Sequence, residues 1–125
     1  MSQSVKAIAE RLVELCKTNQ ARQCLDELYA ADAVSVEAMP MPGADSAETV
    51  GVAGIHGKHE WWENSFEVHD ASVDGPYLHG DDRFGVIFEM DVTHKESSER
   101  SQMKELGIYT IQDGKIIREE FYYTM

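Results

Sequence analysis

The sequence is poor in basic residues, with 11 Lys and Arg against 23 Asp and Glu and a formal net charge of −12 at pH 7. A surface with this excess of negative charge repels nucleic-acid phosphates and anionic lipid headgroups. We therefore expect no nucleic-acid partner and no membrane-surface role. The chain also lacks an apolar run of the ~20 residues that a transmembrane helix needs. Its N-terminal stretch carries charges throughout, unlike a secretory signal peptide.

Cysteine is scarce as well, since the chain has only Cys16 and Cys24 and no CxxC motif. Both lie in helical patterns, and free buried thiols are typical of a reducing compartment. We therefore predict a cytoplasmic protein. His56 and His59 lie near Glu63, but no HExxH or facial-triad spacing is present, so we predict no metal site. No glycine-rich phosphate loop or nucleophile elbow appears, and we expect no cofactor.

What the chain does contain is a regular succession of helical and strand patterns. Its 125 residues predict one domain that spans residues 1–125. Apolar residues at helical spacing follow Ser4, a candidate N-cap, and further helices are predicted over residues 21–30 and 57–69. Alternating patterns predict strands at "DAVSVEAM" and over residues 72–79, 83–95, 101–111 and 115–124. This order predicts an α+β fold with helices packed on one face of a curved, mostly antiparallel sheet.

Four segments together carry a family resemblance: "LYAADAVSVE", "GIHGKHEWWE", "RFGVIFEMDVTH" and "GIYTIQDGKIIREEFYY". In this order they resemble the nuclear-transport-factor-2-like superfamily over nearly the whole chain, and specifically its SnoaL-like branch. That branch is related to ketosteroid isomerases, polyketide cyclases and small dehydratases. The resemblance implies a cone-like domain whose sheet and helices enclose an apolar pocket. It also implies a homodimer formed through the sheet.

The resemblance further implies a candidate general base. In ketosteroid isomerases the base follows the Asp of a "DA" pair by five residues, and this count from Asp32 leads to Glu37. The alternation of the strand on its own would place Val34 and Val36 inward and Glu37 in water. The family register instead places Glu37 inward, where an apolar pocket would raise its pKa and suit it to acid/base chemistry.

The oxyanion side of the ketosteroid isomerase site has no counterpart in this chain. Where that family has a tyrosine on its first helix, this sequence has Val13 or its neighbours, and where it has a protonated Asp, this sequence has Gly107. Two donors that would stabilise a dienolate are therefore absent. We do not expect steroid isomerisation.

The same register predicts the other side chains that would line a pocket for a hydrophobic small molecule. Of the adjacent Trp61 and Trp62, which point in different directions on a helix, Trp62 is our candidate to cover the pocket. The remaining candidate ligand-binding residues are Phe88, Met90, Met103, Tyr109, Glu119, Phe121 and Tyr123. For Glu119 the neighbouring charges in "REE" also permit a surface ion pair.

His94 and Glu105 form a second candidate catalytic group. If both face inward, they can meet near the pocket opening as an acid/base or orienting pair. The alternative is a histidine at a strand end and a solvated glutamate at the rim of the sheet. Residues 40–54, rich in Pro, Gly and small residues, form a long connection that could be a lid or a binding loop.

Three functions are compatible with these features. The first is a cofactor-free cyclase, isomerase or dehydratase in which Glu37 removes a proton next to a carbonyl, with Tyr109, Tyr123 or His94 as donors to the oxyanion. The second is a non-catalytic domain that binds a hydrophobic ligand in the same pocket. The third is a dimeric interaction module with a filled interior, which the six methionines would suit.

Overall fold

The structure is a computed structural model that describes residues 4–40 and 43–124. Its helices are α1 (Val5–Lys17), α2 (Ala21–Leu28) and α3 (Val52–Ser65). Its strands are β1 (Tyr29–Val36), β2 (Glu48–Val50), β3 (Phe66–His79), β4 (Arg83–His94), β5 (Arg100–Gln112) and β6 (Lys115–Tyr122). The predicted α+β class is confirmed. Within these ranges no helix combines the length and the apolar character needed to cross a bilayer.

The six strands form one sheet in the order β2-β1-β6-β5-β4-β3. Every neighbouring pair is antiparallel except β1 and β6, which run parallel. The predicted hairpin between β5 and β6 is present, with positive φ at both Asp113 and Gly114, as a two-residue type I′ turn requires. Because β1 and β6 are parallel, the residues that follow them emerge at the same edge of the sheet.

The ends of several elements differ from the predicted ones. Helix α3 begins at Val52 and ends at Ser65, so the segment from Phe66 belongs to β3 and pairs with β4 out to His94. Pairing with the whole of the long strand β4 overrides the helical pattern there. The short strand β2 lies in the connection 40–54 and was not predicted. Met41 and Pro42 of that connection lie outside the described residues, and its role as a lid stays a prediction.

The hydrophobic core lies between α1 and the inner face of the sheet, the face that the helices cover. Ser4 caps α1 as predicted, because its hydroxyl accepts a hydrogen bond of 3.2 Å from the Ala7 amide. The buried face of α1 consists of Ile8, Ala9, Leu12, Val13 and Leu15. From the sheet, Phe84 stacks on Tyr109 with 4.9 Å between the ring centroids. This packing leaves the end of the inner face beneath α3 to polar residues.

The packing of α1 leads to a stability prediction. We expect Leu12→Ala, which truncates a side chain that is 1% exposed, to lower the free energy of unfolding by about 3 kcal/mol. The cause is lost burial together with the cavity left behind. Urea denaturation followed by circular dichroism measures the change. Lys6→Ala, on the exposed side of the same helix, should change it by less than about 0.5 kcal/mol. Equal losses in both variants would contradict this description of the core.

Candidate functional site

The inner face of the sheet carries most of the residues that the sequence predicted for a pocket. Strand register places Phe88 opposite Glu105 and Met90 opposite Met103, and it places Tyr109 opposite Glu119. The residues half-buried on this face are Phe88, Met90, Met103, Glu105, Phe121 and, just after β6, Tyr123. The surface that these half-buried side chains form beside α3 is called the site cleft below. The apolar side chains of the site cleft are called its walls below, and the polar side chains near α3 are called its floor.

Two of the predicted ligand-binding residues lie elsewhere. Tyr109 is only 3% exposed and stacks in the core on Phe84, so it does not line the open part of the cleft. Trp62 is half-buried and stacks on Phe66, with 4.3 Å between ring centroids, where α3 passes into β3. Trp61 is exposed and meets the same Phe66 ring edge-on. The tryptophan pair therefore fixes the end of α3.

Lys58 of α3 is the positive group at the centre of the polar floor. Its ammonium nitrogen Nζ lies 2.6 Å from Glu37 Oε1 and 2.7 Å from Ser35 Oγ. The side chains of Lys58 and Glu37 are 12% and 19% exposed. Lys58 also lies above the Phe121 ring, 5.8 Å from its centroid. Removal from water strengthens these interactions compared with a surface ion pair.

Glu37 lies on the inner side of the sheet, immediately after β1, as the family register implies. Tyr123 donates its hydroxyl to Glu37 Oε2 at 2.9 Å, so each carboxylate oxygen has a partner. The parallel pairing of β1 with β6 explains the contact, because Glu37 and Tyr123 follow those two strands at the same edge. The interpretation that leaves Glu37 in water does not describe this geometry.

Glu119 is a buried carboxylate deeper in the same cluster, with an exposure of 2%. The hydroxyl of Tyr29 donates to one of its oxygens and the hydroxyl of Ser35 donates to the other, the latter at 2.6 Å. Burial raises the pKa of Glu119, although both hydrogen bonds act in the opposite direction. The alternative of a surface ion pair for Glu119 is wrong. Arg118 lies near Glu48 and Glu120 instead.

These contacts make one continuous polar chain of hydrogen bonds and one ion pair, the latter between Lys58 and Glu37. It runs from the buried to the half-buried end of the site in the order Tyr29, Glu119, Ser35, Lys58, Glu37 and Tyr123. Each member restricts the orientation of the next, so the network rigidifies its surroundings. The chain therefore holds Glu37 and Lys58 in fixed positions at the floor of the cleft.

Glu105 is the third carboxylate of the cluster. Burial raises its pKa to about 7, and the negative charges of Glu37 and Glu119 act in the same direction, while Lys58 lowers it. Glu105 is thus neither a fully solvated rim residue nor a permanently charged one. A carboxyl group that titrates near neutral pH is suited to acid/base work.

The predicted pair of His94 and Glu105 is wrong. Glu105 is opposite Phe88 on β4, and His94 lies six residues farther along that strand, a distance of about 20 Å at ~3.3 Å per residue. His94 Nδ1 lies 3.0 Å from Ser97 Oγ in the turn after β4, and its ring is 5.0 Å from that of Phe66. His94 is therefore a strand-end residue, as the alternative interpretation had it.

Sequence reasoning missed Lys58 and assigned no role to Tyr29 or Ser35. A signal for Lys58 was present, since it follows Ile55 by three residues and precedes Trp62 by four, which puts it on the covered face of α3. A lysine on such a face needs a buried partner. No comparable signal marks Ser35, because only the fold places it against Glu119.

The two histidines of α3 have separate environments. Burial lowers the pKa of His59 to about 4, helped by the positive charges of Lys58 and Arg22, so this ring is neutral at pH 7. His56 Nε2 lies 2.8 Å from Asp26 Oδ1, and Arg22 donates to His56 Nδ1 at 2.9 Å. His56 therefore ties α3 to α2. Across the described parts of the chain, no three His, Cys, Asp or Glu side chains are grouped as a metal site would require.

Comparison with known proteins agrees with the fold. The family model of the SnoaL-like domain matches residues 3–123. The chain belongs to the SnoaL-like family. A solved SnoaL-like structure from Mesorhizobium loti is 39% identical, with a TM-score of 0.89 over 97% of this chain and 100% of the other. It is named as a candidate SnoaL-like polyketide cyclase, with carbohydrate phosphatase as a second designation.

More distant structures share the fold of this SnoaL-like domain. A candidate isomerase from Bacillus subtilis is 14% identical, with a TM-score of 0.73 over 94% of this chain and 84% of the other. An NTF2-like protein of unknown function from Burkholderia pseudomallei is 11% identical, with a TM-score of 0.70 over 93% and 88%. No curated protein matches the sequence. The predicted membership of the SnoaL-like branch is confirmed.

The raised pKa of Glu105 predicts a pH-dependent stability. The folded state holds this proton up to about pH 7, whereas the unfolded state loses it near the ordinary glutamate pKa of 4.5, so Glu105 destabilises the fold as the pH rises through that window. Glu105→Gln is neutral throughout. Its free energy of unfolding relative to wild type should therefore increase by roughly 3 kcal/mol between about pH 4 and about pH 8. Urea titrations across that range measure the difference.

The control for this titration is Glu89→Gln, on the opposite face of the sheet with a side chain that is 55% exposed. We expect no comparable increase for this variant. A constant difference between Glu105→Gln and wild type across the range would contradict a Glu105 pKa near 7.

Proposed function

We propose that this SnoaL-like domain is a cofactor-independent enzyme of the cyclase or isomerase type that transfers a proton next to a carbonyl group. The observation that supports the proposal best is the ion pair of Glu37 with Lys58 on the face that also carries Glu105, whose pKa burial and the charges of Glu37 and Glu119 raise to about 7. The 39% identical relative named as a candidate polyketide cyclase supports the same class. The substrate is a hydrophobic small molecule, since the cleft walls are aromatic and methionine side chains.

The two carboxyl groups have different roles in this proposal. Glu37 is the base, because Lys58 and Tyr123 hold its two oxygens in a fixed orientation. Glu105, with a pKa of about 7, carries a proton for part of the time at neutral pH and acts as the acid. Three clustered carboxylates argue against a phosphorylated substrate, which they would repel.

Deuterium exchange tests the proposal even though the natural substrate is unidentified. The protein is incubated in D₂O with a panel of apolar ketones and 1,3-diketones, and deuterium at the carbon next to the carbonyl is measured by NMR. We expect faster exchange for at least one compound. Glu37→Gln should slow the catalysed exchange by about 100-fold or more, because general-base catalysis contributes ~10²–10⁴-fold. The same ligands should still bind.

The matched control is Glu48→Gln, on β2 with a side chain that is 51% exposed. This variant should catalyse deuterium exchange of the ketones at the wild-type rate. Full activity of a folded Glu37→Gln variant would overturn the role of Glu37. Ligand binding without exchange of any compound would favour the alternative function, a non-catalytic domain that holds a hydrophobic ligand.

We further propose that a second copy of the chain covers the outer face of the sheet, opposite the helices. This face exposes the apolar side chains of Leu106 and Tyr122, which are paired across β5 and β6, and that of Tyr77 on β3. Ile87 and Ile108 lie between them. A patch of this kind on an otherwise acidic protein is typical of a protein interface.

The dimer proposal predicts the effect of a charge in the centre of the patch. Leu106→Glu should convert a dimer into a monomer, because two copies would bring their added carboxylates together in a desolvated interface. Light scattering after size-exclusion chromatography measures the mass. Asn64→Glu places the same charge on an exposed residue of helix α3, on the other side of the sheet, and should leave the dimer intact. A monomeric wild-type protein at high concentration would overturn the proposal.

A further inference from the structure

Lys58 has more donors than its hydrogen-bond partners use. An ammonium group carries three N–H donors. Two acceptors contact it, Glu37 Oε1 at 2.6 Å and Ser35 Oγ at 2.7 Å. Among the described residues no third acceptor contacts it, and the remaining neighbour is the Phe121 ring, at 5.8 Å from the centroid. Phe121 is part of the half-buried wall of the cleft.

The hydrogen bonds of Ser35 restrict the orientation of the Lys58 side chain. A serine hydroxyl has one hydrogen, and Ser35 donates it to Glu119 Oε2 at 2.6 Å. The oxygen of Ser35 is therefore the acceptor for Lys58. Glu119 is itself held by Tyr29 and is almost fully buried. The Lys58 ammonium is thus held by two contacts, a hydrogen bond to Ser35 and an ion pair with Glu37.

The other candidate donors in the site are already engaged or out of reach. Tyr123 donates to Glu37, and Tyr29 donates to Glu119. Tyr109 lies in the core and His94 lies at the far end of β4. Lys58 is consequently the cationic donor that faces the same space as Glu37, and it stands in for the hydrogen-bond donors that ketosteroid isomerases have and this chain lacks.

The geometry points to Lys58 as a catalytic residue whose third N–H binds the enolate oxygen of the substrate. The inference rests on the proposed function and narrows its substrate class to enolisable carbonyl compounds whose oxygen lies at Lys58 while the acidic C–H faces Glu37. Glu37 takes the proton, the C–H electron pair forms the C=C bond, and the carbonyl π pair moves to the oxygen. Lys58 stabilises the resulting negative charge, as preorganised donors do in oxyanion sites.

A phenolate binding experiment tests Lys58 without any turnover. 4-Nitrophenol mimics an enolate, and its ionised form absorbs visible light whereas its neutral form does not. A titration with protein across a pH series gives both the dissociation constant and the ionised fraction of the bound probe. The comparison is between Glu37→Gln and the double variant Glu37→Gln/Lys58→Met. The double variant avoids leaving Glu37 as an unpaired, half-buried charge, which would endanger folding.

We expect Glu37→Gln to bind the probe as phenolate, at least as tightly as wild type does. Loss of Lys58 in the double variant should weaken phenolate binding by about 10- to 100-fold, as expected when a hydrogen bond to a charged group is removed. The bound probe should then be neutral. Lys104→Met, on the outer face with a side chain that is 69% exposed, should match wild type. Circular dichroism confirms that each variant is folded.

Two results would overturn the inference: binding of neutral phenol alone by Glu37→Gln, or unchanged phenolate binding by a folded double variant. The second result would assign the anion to another donor, such as the neutral His59. The outcome is independent of the exchange assay. Phenolate binding that depends on Lys58, together with no exchange of any ketone, would refute proton transfer while still establishing the anion site.

Discussion

The parallel pairing of β1 with β6 is the constraint on which the site depends. All other strand pairs are antiparallel and follow from hairpins or short connections, whereas this pair joins the start of the sheet to its end. It places Ser35 directly beside Glu119 and brings Glu37 within reach of Tyr123. Without this pairing the three glutamates would lie on separate parts of the molecule, and α3 would have no acidic floor against which to place Lys58.

The cluster of three carboxyl groups around one ammonium is costly for folding. Burial opposes ionisation of Glu105 and Glu119, and the charge of Glu37 adds to the cost. One positive charge balances one negative charge, so protonation of Glu105 brings the cluster closer to neutrality. Buried ion pairs are weak evidence for stability. Such an arrangement fits a functional site, where strained electrostatics are retained at the expense of stability.

The sequence was sufficient to predict the α+β class, the N-cap at Ser4 and the turn at Asp113-Gly114, because each depends on local periodicity or turn chemistry. The inward orientation of Glu37 could be predicted only from the family register, since the apolar alternation of the strand predicted a solvent-exposed Glu37. Local sequence patterns could not predict the distance between His94 and Glu105, because it depends on the register between β4 and β5. They could not predict the contacts of Lys58 either, because these depend on where α3 crosses the sheet.

Gly107 explains why this site cannot be converted into that of a ketosteroid isomerase by one exchange. A Cβ at this position would lie 3.0 Å from a ring carbon of Tyr109 and 3.2 Å from one of Phe121. Both rings occupy the room that a protonated aspartate would need, and Tyr109 is wedged against Phe84. The packing of Tyr109 and Phe121 around Gly107 therefore accounts for the absence of a donor side chain at this position. A side chain at position 107 would therefore require the Tyr109 and Phe121 rings to move as well.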